Sequence, residues 1–459
     1  MSNNLSTRAR AIALGMILSA AGLPAVADEA SNAKLDEMRQ KLDQSLKMIE
    51  ALSARVKELE AHQAGAPAGV ASAPPTAPQS APAPADEQRL QAVEQKVAQI
   101  ETTNATRPQD DSGLPIHGFA DVNTGNYNLY FPYYKGTNVG SLDLYLAPKL
   151  GGRVVSLAEL IFETGPDGNV GTDLERFQIG YQFSDRATVW VGRFHTPYGY
   201  VNTALHHGVW LADALRRPKF VNFEDKGGVM PAHTVGVWMT GALRTGEGKI
   251  LYDFYVGNGQ KVESGIVDMQ NGGNDHGAVM AGSRLSYQFT GAADGLVVGI
   301  NGFTDKVNSD HTLNEMTVVT RLNMLGAYAV YDTDEWEHIA EFYSFHDTNL
   351  NGSPGVHRSN AWFAQLAYRA RWVLPYIRYE RASLDQADLY FSDQTFGASY
   401  YRSAIGLRFD INVKSSLKLE IAHTRSTDDR SATDYRPSDK TVGFPLEYNE
   451  VLGQYAIRF

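Results

Sequence analysis

The chain has no cysteine in its 459 residues. A disulfide scaffold, a thiolate metal centre, a cysteine nucleophile and covalently attached haem are thereby excluded. It also lacks a second long apolar run. Beyond the first residues no stretch of about eighteen apolar side chains exists, which is roughly what a helix needs to cross hydrocarbon. A slightly polar mean hydropathy agrees with that. A membrane barrel is not excluded, because barrel strands are apolar on one face only. Positive charge is in deficit: the formal net charge is −11, so nucleic acid finds no basic footprint. No G-x-S-x-G element and no paired acids on one rim are legible, so the chain is not expected to be an enzyme or to need a cofactor. No internal repeat of propeller type is present either.

What the chain does have is 42 glycines and 23 tyrosines, the residues of tight turns and interfacial girdles. It opens with Arg8 and Arg10, the apolar run Ala11–Leu23 and the small-x-small triplet Ala25-Val26-Ala27. These are the three parts of a secretory signal peptide, expected to span 1–27. Residues 28–61 read as a coiled coil with Leu35, Leu42, Ile49 and Val56 at a, and Met38, Ser45, Leu52 and Leu59 at d. A stripe that narrow is best buried against copies of itself, so a homo-oligomer is expected. The pattern suits a dimer in isolation, while a barrel could impose a trimer. Residues 62–86 are rich in Ala and Pro and should form an extended spacer. Residues 87–112, with Leu90, Val93, Val97 and Ile100, read as a short second coiled-coil helix and linker.

From residue 113 to 459 the period changes to two. Segments that alternate apolar and polar residues fall at 115–130, 141–148, 153–163, 174–183, 187–195, 233–243, 249–257, 278–289, 295–304, 315–331, 335–346, 360–369, 371–382, 399–411, 415–425 and 449–459. Phe177, Ile179, Tyr181 and Phe183 oppose Arg176, Gln178 and Gln182; Leu417, Leu419 and Ile421 oppose Lys418 and Glu420. Short connections such as 184–186, 244–248, 332–334 and 412–414 alternate with longer polar ones such as 258–277, 347–359, 383–398 and 426–448. Short turns on one side and long loops on the other are barrel topology in an outer membrane, and only a closed barrel satisfies every backbone group in lipid without helices. The expected fold is therefore all-β: a sixteen-stranded antiparallel transmembrane β-barrel, preceded by a periplasmic α-helical coiled-coil segment. An even strand count puts both barrel ends in the periplasm.

The last strand carries Val451, Gly453, Tyr455, Ile457 and Phe459 at every second position and stops on the aromatic ring. This resembles the C-terminal assembly signal of bacterial outer-membrane barrels, with Tyr455, Ile457 and Phe459 as its marks. The longest connection, 196–232, carries His206, His207, Arg216, Arg217, Lys219, Glu224, Asp225 and Lys226. A loop of that length is normally functional. With it, the region 113–459 resembles the sixteen-stranded bacterial porins, whose long loop folds inward and narrows the pore. The added coiled coil resembles that of DcaP-like porins, which are trimers that pass small dicarboxylates. The resemblance implies an outer-membrane location, a homotrimer, contact with outer-membrane lipid, and passive diffusion of small hydrophilic solutes, with small carboxylates or inorganic anions preferred.

On the less apolar strand face stand Arg176, Arg193, Asp253, Arg284, Arg402, Arg408, Lys418 and Glu420. In a barrel of this size that face lines water, and charges in a low-dielectric passage focus the field. A metal site is not expected, because His206 and His207 are adjacent and point apart. The alternative function is structural: the barrel tethers the membrane to peptidoglycan or a periplasmic protein, or sheathes an electron-transfer partner.

Overall fold

The computed structural model describes residues 116–459, except 127–135, 149, 165–168, 207–208, 225–226, 269–276, 314–315, 352–354 and 428–446. The signal peptide, the linkers and both coiled-coil segments, including the core positions Leu35 to Leu59, lie outside the described residues.

Among the described residues eighteen strands follow one another: β1 (Ile116–Gly125), β2 (Gly136–Leu146), β3 (Val154–Thr164), β4 (Val170–Ser184), β5 (Ala187–His195), β6 (His233–Thr245), β7 (Gly248–Asn258), β8 (Lys261–Glu263), β9 (Ile266–Val267), β10 (Val279–Phe289), β11 (Leu296–Leu313), β12 (Met316–Asp332), β13 (Trp336–Asn349), β14 (Gly355–Tyr368), β15 (Val373–Ser383), β16 (Tyr400–Asn412), β17 (Ser415–Ser426) and β18 (Glu447–Arg458). The small pair β8 and β9 forms a hairpin within one connection. The other sixteen form a closed antiparallel barrel. Closure is made by β1 against β18, from Phe119↔Arg458 to Gly125↔Leu452.

All sixteen expected segments are barrel strands. Several loop-side ends run further than the alternation suggested, whereas the segment expected at 115–130 is shorter and ends at Gly125. The segment read as 295–304 is Leu296–Leu313, and the one read from 360 begins at Gly355. The connection expected at 347–359 is correspondingly short, because Asp347 and His357 face each other within the β13–β14 ladder. At about 3.4 Å per residue, the 18 residues of β11 reach well past a hydrocarbon layer about 25 Å tall. There is no lipid to demand an apolar face there, so the period-two signal fades.

Alternation decides the two surfaces. Along β13 side chains switch strictly between exposed and buried over most of the strand. The outward set is apolar: Phe177, Ile179, Tyr181 and Phe183 on β4, Ile405 and Leu407 on β16, Leu417, Leu419 and Ile421 on β17. Such a belt is unfavourable in water and favourable in hydrocarbon. Aromatic pairs collect at the short-turn end, including Tyr287 with Phe289, Trp336 with Tyr368, and Trp372 stacked on Phe409. Amphipathic rings suit an interface of that kind.

The inward set is polar and charged, with Asp253, Glu341, Glu380, Arg402, Lys418 and Glu420 all buried. On β4 the register slips between Glu159/Arg176 and Leu160/Leu174, leaving Glu175 as an extra residue. A bulge of this type re-aims a side chain. A second buried group is apolar and joins residues of the 196–232 connection to the walls: Tyr198, Phe220 and Met230 cluster with Tyr343, Phe345 and Phe391.

Candidate functional site: the 196–232 loop on the inner wall

The loop leaves the sheet at His195 and re-enters at His233, which are register partners. Its neck is pinned where Thr196 N donates to Ala232 O at 2.9 Å and Thr196 Oγ1 meets Thr234 Oγ1 at 2.8 Å. The amide of Asn202 clasps both sides, Nδ2 donating to Thr196 O at 2.9 Å and to Ala232 O at 3.1 Å. Past the neck runs a one-turn helix, α1 (Val201–Ala204).

The first N–H groups of that turn are capped from the wall. Glu341 Oε1, on β13, accepts from Tyr200 N at 2.7 Å and Val201 N at 2.8 Å. The approach depends on Gly199, which has φ +57° and no room for a Cβ, since Tyr343 Oη and Glu341 Oε2 would lie 2.4 and 2.7 Å from it. On β10, Arg284 is held by Asp253 at 2.8 Å and donates to Gly199 O at 3.1 Å and to Thr203 Oγ1.

The middle of the loop is bracketed by β15, β16 and β17. Arg408 donates to Ala212 O and Asp213 Oδ1, each at 3.1 Å. Lys418 Nζ donates to the carbonyls of Val209, Ala212 and Ala214. Leu215 N donates to Tyr376 Oη at 3.0 Å, and Arg378 Nη1 to Arg216 O at 2.7 Å. Lys219 N donates to Glu380 Oε2 at 2.6 Å. Further on, Tyr390 Oη donates to Val229 O at 2.6 Å. Every wall partner on a strand belongs to the inward set, so the loop lies inside the barrel.

The expected loop charges have varied placements. Arg216 approaches Glu450 at 3.8 Å and is partly exposed. Arg217 is spent inside the loop: its guanidinium donates to the carbonyls of Val221, Leu205 and His206 and to Asn202 Oδ1, and burial lowers its pKa. Lys219 Nζ stands 4.3 Å above the Tyr400 ring. Burial pushes its pKa down to about 8, against the opposing pull of Glu380. Glu224 is buried and accepts from Ala232 N at 2.5 Å. His206 is buried beside the neck. His207, Asp225 and Lys226 lie outside the described residues.

On the wall, Arg402 is ringed by Glu380 at 3.5 Å, Glu420 at 2.9 Å and Glu450 at 2.5 Å. Arg176 pairs with Glu159, and Arg193 lies 3.9 Å from Glu175. Tyr455 faces outward on β18, and Phe459 exchanges both backbone hydrogen bonds with Gly118, at 3.0 and 3.1 Å.

One group of residues escaped the sequence reading, and a second was weighed there as a metal site and set aside. The anchors Glu341, Tyr376, Arg378 and Glu380 look like any polar residue on an inward face, so only the loop's path singles them out, and Asp213, in the loop, is singled out by its partner Arg408. The second group is a cluster of three histidines. His195, His206 and His233 each place one ring nitrogen within 4.8 Å of the others. One signal was available: His195 and His233 flank the longest connection and so had to be register partners.

No family model matches the chain, and no characterised protein matches it in sequence. Among solved structures, the anion-selective porin from Comamonas acidovorans aligns with a TM-score of 0.50 at 14% identity, over 75% of this chain and 98% of that one. The outer-membrane protein OmpT of Vibrio cholerae gives a TM-score of 0.46 at 12% identity, over 75% and 97%. The outer-membrane channel DcaP of Acinetobacter baumannii gives 0.45 at 9%, over 75% and 96%. The likeness to the Comamonas protein is one of fold: what this chain shares with an outer-membrane porin is the barrel.

Proposed function

We propose that the chain is an outer-membrane porin, a homotrimeric channel for passive diffusion of small hydrophilic solutes with a preference for anions. The observation that carries this reading is a closed barrel, apolar outside and charged inside, whose longest loop is anchored along its inner wall. In this reading the 196–232 loop narrows the passage. Arg176, Arg193, Asp253, Arg284, Arg402, Arg408, Lys418 and Glu420 shape the lumen field, and Tyr455, Ile457 and Phe459 serve as the assembly signal. The coiled coil stands in the periplasm and joins the copies. Anion preference is supported by Lys418, whose Nζ is braced by the carbonyls of Val209, Ala212 and Ala214, by the partly exposed Arg216, and by the name of the Comamonas relative in fold. Small carboxylates and inorganic anions fit that chemistry.

The test is single-channel recording of the mature, detergent-purified protein in a planar bilayer under a salt gradient. Three equal closure steps and an anion-selective reversal potential are expected, with selectivity weakened in Arg216→Ala. Absence of channels from folded, heat-modifiable protein would overturn the reading. The second reading is a structural barrel that tethers the membrane to peptidoglycan or to a periplasmic protein. It is favoured by how fully the loop is bonded to the wall, and it would take over in that event.

A further inference from the structure

The neck of the loop gathers three imidazoles, with a carboxylate against each of two of them. His206 Nε2 lies 2.9 Å from His233 Nε2, and the rings of His195 and His206 stack with centroids 3.4 Å apart. Glu175 Oε2 is 2.6 Å from His233 Nε2, and Glu159 Oε2 is 3.6 Å from His195 Nε2. Ligand atoms bound to one ion at about 2.0–2.1 Å stand roughly 3.0–3.4 Å apart; the His206–His233, Glu175–His233 and Glu159–His195 separations bracket that range, and the ligand nitrogens of the three histidines all lie within 4.8 Å of one another.

The tautomer of His206 is preset. Its Nδ1 faces Asn202 O and Asn202 Oδ1, both at 3.0 Å. The orientation of that amide is fixed, because Nδ2 has two carbonyls to serve and Oδ1 receives Arg217. Both atoms facing Nδ1 are therefore acceptors, so Nδ1 carries the proton and Nε2 presents its lone pair to the cluster. A second-shell acceptor that sets ring and tautomer is the usual support of a ligating histidine.

We propose that His195, His206 and His233, completed by Glu175 and Glu159, bind a divalent first-row transition-metal ion, with zinc as the reference probe. Imidazole and carboxylate without thiolate suit zinc, copper, nickel and iron. His233 Nε2 sits between two acceptors, Glu175 Oε2 and the His206 lone pair, and so holds a proton. The ion takes that position and the proton moves by way of solvent to Nδ1, on the side of Glu224, so that His233 binds as a neutral imidazole. The surrounding charges are Glu224, 3.9 Å from His233 Nδ1, Arg176 on Glu159, Arg193 near Glu175, and Arg217 on Asn202. Bound, the ion staples the end of the helical turn to both feet of the loop. The consequence for conductance rests on the porin reading; the binding itself does not.

The experiment uses tag-free mature protein in detergent, stripped with a chelator and titrated calorimetrically with Zn2+, with metal content measured after desalting. One ion per chain is expected. Co2+ should give weak visible bands of a nitrogen–oxygen site. His206→Ala and His233→Ala should each weaken uptake by roughly 100-fold, and Asn202→Ala by roughly 10- to 100-fold, in protein that still shifts on heating. Failure of folded wild-type protein to take up Zn2+ or Co2+ stoichiometrically overturns the proposal. So does uptake that every histidine variant retains. A positive titration beside a silent bilayer would keep the metal site and remove the porin.

Discussion

Arg402 has three carboxylates within reach, and none of the four groups is appreciably exposed. Removing the guanidinium would leave these buried carboxylates with Arg378 on Glu380, Tyr376 on Glu420 and Arg216 3.8 Å from Glu450, and breaking a buried charge cluster from one side costs up to about 3–5 kcal/mol. Arg402→Met is therefore expected to lower the temperature at which the folded band disappears in unboiled gels, while Arg216→Ala, at a partly exposed site, leaves it nearly unchanged. Lys219 offers a different test at the same scale. Its folded pKa of about 8 lies below the ordinary value of 10.5. Under pH 8 it is charged in folded and unfolded chains alike. Between 8 and 10.5 the unfolded chain holds a proton that the folded one has shed, so stability rises with pH across that window. The charge near the passage is lost over the first part of it. Anion selectivity, read as reversal potential, should fall as pH rises through about 8, and the fall should be missing in Lys219→Met.

At the scale of elements, the loop is held by capping contacts from far along the chain. Glu341 serves Tyr200 and Val201 across 141 and 140 positions. Glu341→Ala should free the helical turn, raising conductance and its noise and opening the loop to protease. Glu341→Gln keeps an oxygen acceptor and should stay close to wild type in both readouts. The same distances mark how far the sequence could be read. Strands were legible because a lipid-facing surface imposes strict alternation, as in Leu417, Leu419 and Ile421, and because turn residues such as Gly246 break it. The extensions of β11 and β14 were not legible, since nothing apolar is required above the membrane. The loop's place inside the barrel was expected from the resemblance to porins alone and was not legible in its own residues. Its anchors, Arg378, Glu380 and Lys418, have the composition of any wetted wall, and the pairing lies in the tertiary path. Arg217 illustrates the cost: by type and position it belonged with the anion-attracting charges, yet its donors are consumed by the loop's own carbonyls.

At the scale of the whole barrel, everything depends on the pairing of β1 with β18. Gly118 is where that seam is tightest. A Cβ there would lie 2.5 Å from the backbone oxygen of Asp143 and 2.5 Å from the Phe459 ring. Gly118→Val is expected to reduce the fraction of protein reaching the heat-modifiable form, and Phe459→Ala should not restore it, because the backbone oxygen remains in the way. If Phe459 also carries the assembly signal, Phe459→Ala alone should lower the amount of folded barrel in membranes of the producing cell.

The seam has a further consequence, in time rather than in energy. Gln454 reaches Asp121 across 333 positions, and Val451 reaches Asn126 across 325. Contacts so remote slow folding, because chain ends must meet before any bond rewards the meeting. Until then β1 and β18 are both bare edges. The first strand made waits for the last, and in that interval two nascent copies that meet could each lend the other its final strand.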